Sequence, residues 1–264
     1  MMRALWTAST GMTAQQLNVD NISNNLANVN TVGYKKSRAE FKDLLYETLE
    51  RETIRDGQGK PVNLQVGHGV RTAAISKFFT TGNLEQTSNP NDLAIDGQGF
   101  FMVLGPNGEE LYTKDGSFKL SVDGDTSSLV TSDGYFVQSD GGDIDLGADV
   151  KQLIIDEAGN ITVKRIDDSL EEIGSLTIVT FLNPAGLESV GRNFYKETGA
   201  SGEAVDTAND GSGGSVLQGF LEYSNVQIVE EMVKLIQAQR AYEINSKSIQ
   251  TADEMLNIAN NLRR

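Results

Sequence analysis

Leu5, Met12, Val19 and Leu26 recur every seven residues, and Ala8, Gln15, Ile22 and Val29 repeat the step three positions on. That spacing puts both sets along one seam of a helix. Residues from roughly 3 to 30 are therefore expected to form one long helix, ending at NTVGY, where Asn30 and Gly33 suit a helix stop. The far end of the chain carries the same signal in Ile228, Leu235, Tyr242, Ile249 and Leu256, with Glu231, Ala238, Asn245, Ala252 and Ala259 three residues later. Alanine at alternate seam positions lets two helices approach closely. A helix of about 35 residues between about 224 and 262 would be about 50 Å long, too long to be swallowed by a compact domain. The two ends look made for each other, or for copies of themselves.

Beside the apolar seam of the first helix runs an amide stripe, Asn18, Asn21, Asn25 and Asn28, at steps of three and four. Asn is a mediocre helix former, and each buried amide brings donors and acceptors that need partners. The stripe is expected to meet something polar.

Between the ends the pattern changes to short alternating or apolar runs broken by Gly, Asn and Asp. LAIDGQGFFMVLGPNGEELYTKDGSFKLSVDGD reads as strands over Phe100 to Leu104, Glu110 to Thr113 and Ser117 to Val122, joined by PNG, KDG and DGD turns. With 4 Pro and 27 Gly and many such turns, the middle suits an all-β module better than βαβ units. The expected fold class is α+β, with terminal helices forming a coiled coil around an inserted, mostly-β module. The expected divisions are 1–33 (first helix), 34–80 (extended or hairpin connector), 81–200 (β module), 201–223 (Gly-rich return linker) and 224–264 (last helix).

Charge follows the same division. The formal net charge is −15. Residues 1–38 carry Arg3, Lys35, Lys36 and Arg38 against Asp20, and residues 225–264 balance five bases with five acids, so the middle holds −18. The ends can pack without strong self-repulsion, while an acidic middle disfavours nucleic acid and anionic lipid. There are 0 Cys, which excludes disulfides and thiolate metal sites. No apolar run reaches the length of a membrane span, and the first residues lack the apolar core of a cleaved signal.

The candidates for chemistry fail on counting or spacing. His68 is the 1 histidine present, so a His-based metal cluster and an HExxH zinc site are excluded; it reads as a turn residue. DGQGK at 56–60 resembles the tail of a phosphate-binding loop, but Ile54 stands where Gly is needed and Pro61 where Ser or Thr is needed. DGQGF at 96–100 has Met102 in place of the last Gly of a dinucleotide fingerprint and reads as a tight turn into a strand. Asp123, Asp125, Asp140, Asp143 and Asp145 do not match an EF-hand loop and are explained more cheaply as turn residues. No enzyme, cofactor or metal is expected.

Several of these same stretches resemble one known family. MMRALWTASTGMTAQQ, NISNNLANVNTVGYKKSRAEFKDLLYETL, LAIDGQGFF, TFLNPAGLESVG and VEEMVKLIQAQRAYEINSKSIQTADEML are similar to the flagellar rod and hook axial proteins. RALWTASTGM and the short β module favour the distal-rod type over the longer hook. The resemblance implies a subunit that polymerises into a hollow helical drive shaft passing torque to the hook, its terminal helices pairing around a central channel with the β domain outside. The segment after Tyr46 would be a rod-type insertion. Implied partners are copies of itself, proximal rod and hook proteins, the P-ring and L-ring proteins, and the flagellar type III export apparatus, which would export the chain without a cleaved signal peptide. The implied location is the basal-body rod where it crosses the periplasm.

The self-assembly interface is expected to comprise Leu5, Met12, Asn18, Val19, Asn21, Ile22, Asn25, Leu26, Asn28, Val29, Ile228, Leu235, Ala238, Tyr242, Asn245, Ile249, Ala252, Leu256 and Ala259, with the amides satisfied by neighbouring subunits. The alternatives are a proximal rod or hook subunit, and a monomeric extracellular binding module whose helices only clasp each other.

Overall fold

The structure, a computed structural model, describes residues 2–50, 64–106, 108–124, 126–140, 142–147, 150–207 and 214–261. DGQGK at 56–60, Asp125, most of the proposed insertion after Tyr46 and residues 208–213 of the Gly-rich return lie outside the described residues. The protein is α+β, and the chain divides into two compact units.

The first unit contains both long helices, α1 (Met2–Ala27) and α2 (Ile228–Asn261). They pack against each other and run antiparallel, since Gly11 lies against Asn245 while Asn25 reaches Glu231. A Cβ on Gly11 would come within 2.9 Å of the Asn245 amide, so glycine permits that close approach. Glu230 and Glu231 occupy the first turn of α2, where carboxylates favour the helix dipole. Strand Ser37–Asp43 lies against α1 and pairs with Val70–Lys77, while Tyr46–Glu50 pairs antiparallel with Leu64–Gly67.

The second unit holds the β module. Its main sheet runs in the order 188–191, 194–196, 110–113, 100–104, 136–139, 126–130, 119–123. Two of the three strands read from the sequence lie where expected, and the third begins at Lys119. Strand Phe100–Leu104 shows why its sequence is a continuous apolar run. Successive side chains point to opposite faces, so Phe101 and Val103 enter the larger core with Leu93, Leu129, Ile161 and Leu176, while Phe100 and Met102 face a second cluster of Tyr112, Val179, Phe181 and Tyr195. A three-stranded antiparallel sheet, 150–155, 160–165 and 170–175, adds Leu153, Ile155, Ile161 and Val163 to the larger core.

The described part of the return path, within the stretch expected as a Gly-rich linker over 201–223, carries strand pairing. Ser215–Gln218 pairs antiparallel with Leu93–Asp96, and Phe220–Glu222 with Leu84–Gln86. The chain leaves this unit along the strands by which it entered, with Val216 and Leu221 buried.

Candidate assembly surface and its supporting polar clusters

The amide stripe finds partners inside the chain. Asn25 is buried; its Oδ1 accepts from the Ser37 backbone N–H at 3.0 Å, and its Nδ2 donates to the Ser37 carbonyl at 2.8 Å. One side chain thus satisfies both backbone groups of the first residue of a strand. Nδ2 also lies 3.2 Å from Glu231 Oε2, while the other oxygen of that buried carboxylate accepts from Lys234 at 2.7 Å. Asn21 accepts from the Ser37 hydroxyl, Asn28 from Thr31, and Asn18 donates to Gln15. Asn21 and Asn25, expected to be satisfied by a neighbouring subunit, have these partners within the chain. They fix the chain as it leaves α1 and tie α1 to the start of α2.

The apolar seam is placed differently. On α1, Ile22 is buried, whereas Leu5, Met12, Val19 and Leu26 are half-buried, as is Val29 just beyond the helix. On α2, Ala238 and Ala252 are buried; Leu235, Asn245, Ile249 and Leu256 are half-buried; Ile228, Tyr242 and Ala259 are exposed. The seam therefore faces the partner helix without being sealed. Between the helices a cavity of about 530 Å³ is lined by Gln16, Val19, Gln239, Tyr242 and Glu243. The sequence reading missed a second apolar stripe on α2, Val229, Met232, Val233, Ile236, Ile244, Met255 and Ile258, all exposed. The steps of three and four among Val229, Met232, Val233 and Ile236 were the available signal; the seven-residue seam beside them masked it.

In the second unit, the NTVGYK motif serves the turn into the β module. Gly33 has φ +69°, and a Cβ there would lie 2.6 Å from the Asp115 backbone nitrogen, so only glycine fits. Two residues on, Lys35 is wholly buried. Its Nζ donates to Glu222 Oε1 at 2.5 Å and to the Thr80 carbonyl at 2.8 Å. The same carboxylate oxygen accepts from the Gly82 N–H at 2.7 Å. Lys114 Nζ donates to the Gly97 carbonyl at 2.9 Å and stands 3.7 Å from Glu222 Oε2. Burial lowers the pKa of both lysines against the pull of Glu222, that of Lys114 to about 8. Neither charge pattern nor spacing singled out these three residues.

Of the other described candidates, Asp143 lies in the short strand Gly142–Asp143 and Asp145 bridges to Ser128. His68 Nδ1 donates to the Leu45 carbonyl at 3.0 Å. Asp143 accepts from Gln138, and Asp145 from the Gly147 N–H. Among the described residues, no group of three or more His, Cys, Asp or Glu is placed to hold a metal ion, and no helix is long and apolar enough to cross a membrane.

Long helices with open apolar faces, carried with a β module that has its own core, suit a structural subunit. Family models agree along the chain: "Flagella basal body rod protein" matches residues 5–35, "Flagellar hook protein FlgE/F/G D1 domain" residues 94–163, and "Flagellar basal body rod FlgEFG protein C-terminal" residues 217–262. The flagellar basal-body rod protein FlgG of Borreliella burgdorferi is 50% identical over 100% of both chains. That of Caulobacter vibrioides is 44% identical over 99% of this chain and 100% of its own. The hook protein FlgE2 of Helicobacter pylori aligns at 14% identity and a TM-score of 0.24, over 61% of this chain and 47% of that one, too weak a likeness to inform the fold. The chain belongs to the flagellar basal-body rod protein family. It is a structural subunit of the distal rod and not an enzyme.

Proposed function

We propose that this subunit polymerises through its terminal helices into a hollow helical tube, with α1 and α2 forming coiled-coil contacts around the channel and the β module outside. The observation that carries this reading is α2 itself. Of its 34 residues only Glu231, Ala238 and Ala252 are buried, and an amphipathic helix draws most of its stability from packing its apolar face. Neighbouring copies supply that packing. The half-buried residues Leu5, Met12, Asn18, Val19, Leu26, Asn28, Val29, Leu235, Asn245, Ile249 and Leu256, with exposed Ile228, Tyr242 and Ala259, form the interface together with the second stripe on α2. Ile22, Ala238 and Ala252 contribute from the buried side of the seam, and Asn21 and Asn25 shape it from within.

The tube runs through the P and L rings across the periplasm, joins proximal rod to hook, and is built from chains passed unfolded through the flagellar type III export apparatus without a cleaved signal. The expected divisions of the chain stand as part of this proposal.

Val233→Asp with Ile236→Asp tests the reading. Both side chains are about half exposed (49% and 50%), so the monomer keeps its circular dichroism while the critical concentration for polymerisation, followed by sedimentation and electron microscopy, rises at least about tenfold. Polymerisation of the double variant at the wild-type concentration would refute helix-mediated assembly. Limited proteolysis of dilute monomer should remove residues near 1–35 and 225–264 first; protection of both ends there would favour a closed intramolecular clasp.

A further inference from the structure

Lys114 is among the residues lining a cavity of about 470 Å³ in the β module, together with Phe79, Phe100, Phe181, Pro184 and the Gly97–Gly99 turn. The ammonium has three N–H donors, and among the described residues one acceptor, the Gly97 carbonyl, lies at hydrogen-bonding distance. Its nearest carboxylate oxygen, Glu222 Oε2, is 3.7 Å away and has no hydrogen-bond partner. The other oxygen is engaged by Lys35 and Gly82. Two lysines therefore share one carboxylate in a site where all three side chains are at most 1% exposed. The buried trio has a net charge of +1, with exposed Asp96 as the further carboxylate that acts on Lys114, and a buried charge of that kind is stabilised by a close counter-ion.

We propose that this cavity is a carboxylate-binding site, filled in the assembled rod by an Asp or Glu side chain of a second copy of this chain. A single negative charge balances the trio, and the aromatic walls take the methylene stem and the apolar neighbours of the incoming side chain. Pairing with Lys114 uses the donors left over from Gly97. The source follows from charge: residues 39–224 carry −18, so acidic side chains are what a neighbouring module offers most. The choice of a second copy rests on the polymer reading above; the carboxylate site itself does not.

The probe is phenylacetate, a carboxylate with an aromatic body, against phenylacetamide as its neutral twin. Added to monomeric full-length protein near neutral pH, phenylacetate should give saturable shifts in the backbone amide NMR signals of Thr80, Thr81, Gln98 and Gly99, while phenylacetamide gives none. Lys114→Gln should abolish them. Should that variant fail to fold, the wild type serves instead. Asp96, Glu222 and Lys35 are the charged groups that act on Lys114, and affinity should fall toward about tenfold per pH unit once the ammonium titrates, while phenylacetate stays ionised. Phenylacetate, and not the amide, should also raise the critical concentration for polymerisation several-fold by occupying the neighbour's place.

Absence of saturable shifts, or equal binding of both probes, overturns the site. Binding that leaves polymerisation untouched overturns the second copy as occupant and assigns the site to a free carboxylate. Failure of the wild type to polymerise at all, with binding intact, counts against the polymer reading and not against the site.

Discussion

Lys35→Met removes an ammonium that donates to Glu222 and to the Thr80 carbonyl from a position of 0% side-chain exposure. Methionine keeps the length and apolar volume of the stem, so the loss is chiefly electrostatic. Removing one partner of a buried ion pair costs about 3–5 kcal/mol because the other charge stays buried. Here Lys114, 3.7 Å from the second oxygen, retains part of the compensation and places the expected loss near the lower bound, about 3 kcal/mol. That is a large share of the roughly 5–15 kcal/mol by which domains are stable. Glu222→Gln should cost at least as much, since it strands two ammonium groups. The double variant removes one charge of each sign and keeps an acceptor for the Gly82 N–H, so the pair should show a coupling of at least about 2 kcal/mol. Urea unfolding of the three variants, followed by the near-ultraviolet dichroism of buried Tyr112 and Tyr195, measures this. Single-variant losses under about 1 kcal/mol with an unchanged urea dependence, or strict additivity, would refute the reasoning.

The remaining predictions concern the helical unit and pH. Asn25→Ala leaves the Ser37 backbone groups and Glu231 short of a partner and should destabilise the helical unit by about 1–3 kcal/mol, read as faster amide exchange in the first turns of α2; Asn18→Ala, whose contact to Gln15 is local and 3.4 Å long, should change stability by less than about 0.5 kcal/mol. Burial holds Lys114 at a pKa of about 8 against a free value of 10.5, so between those values the unfolded chain binds more protons and stability rises with pH. Lys35, also lowered, acts in the same direction. Tyr112, raised to about 12, and Tyr195, also raised, keep their protons longer in the folded state and reverse the trend above about pH 10. The urea midpoint should therefore climb from about pH 7.5 to about pH 9.5 and then fall, and Lys114→Met should flatten the climb.

The helices and their seam were legible because their signal is local. Residues seven apart lie on one face of a helix whatever it packs against, so Leu235, Ala238, Ile249 and Ala252 could be placed on an inward stripe before any partner was known. Strand Phe100–Leu104 was legible for a similar reason, as an apolar run between turn residues. The return strands Ser215–Gln218 and Phe220–Glu222 were obscured by the glycines before them; their pairing with Leu93–Asp96 and Leu84–Gln86 depends on residues more than a hundred positions away.

The sequence by itself determined the periodicity of both ends, the turn-punctuated middle, the uneven charge and the lack of cysteine and of a second histidine, since each follows from residue type and short-range spacing. Only the tertiary structure decided where the polar groups find their partners. Asn25 meets Glu231 across 206 positions and Lys35 meets Glu222 across 187, and no spacing rule reaches that far. Asn21 and Asn25, two members of the amide stripe, have partners inside the chain, and an ordinary-looking lysine in GYK became a buried charge. The physical reason is the same for both: desolvation makes an unpaired polar group costly wherever the fold buries it, and which group is buried, and beside what, is settled when distant segments pack together.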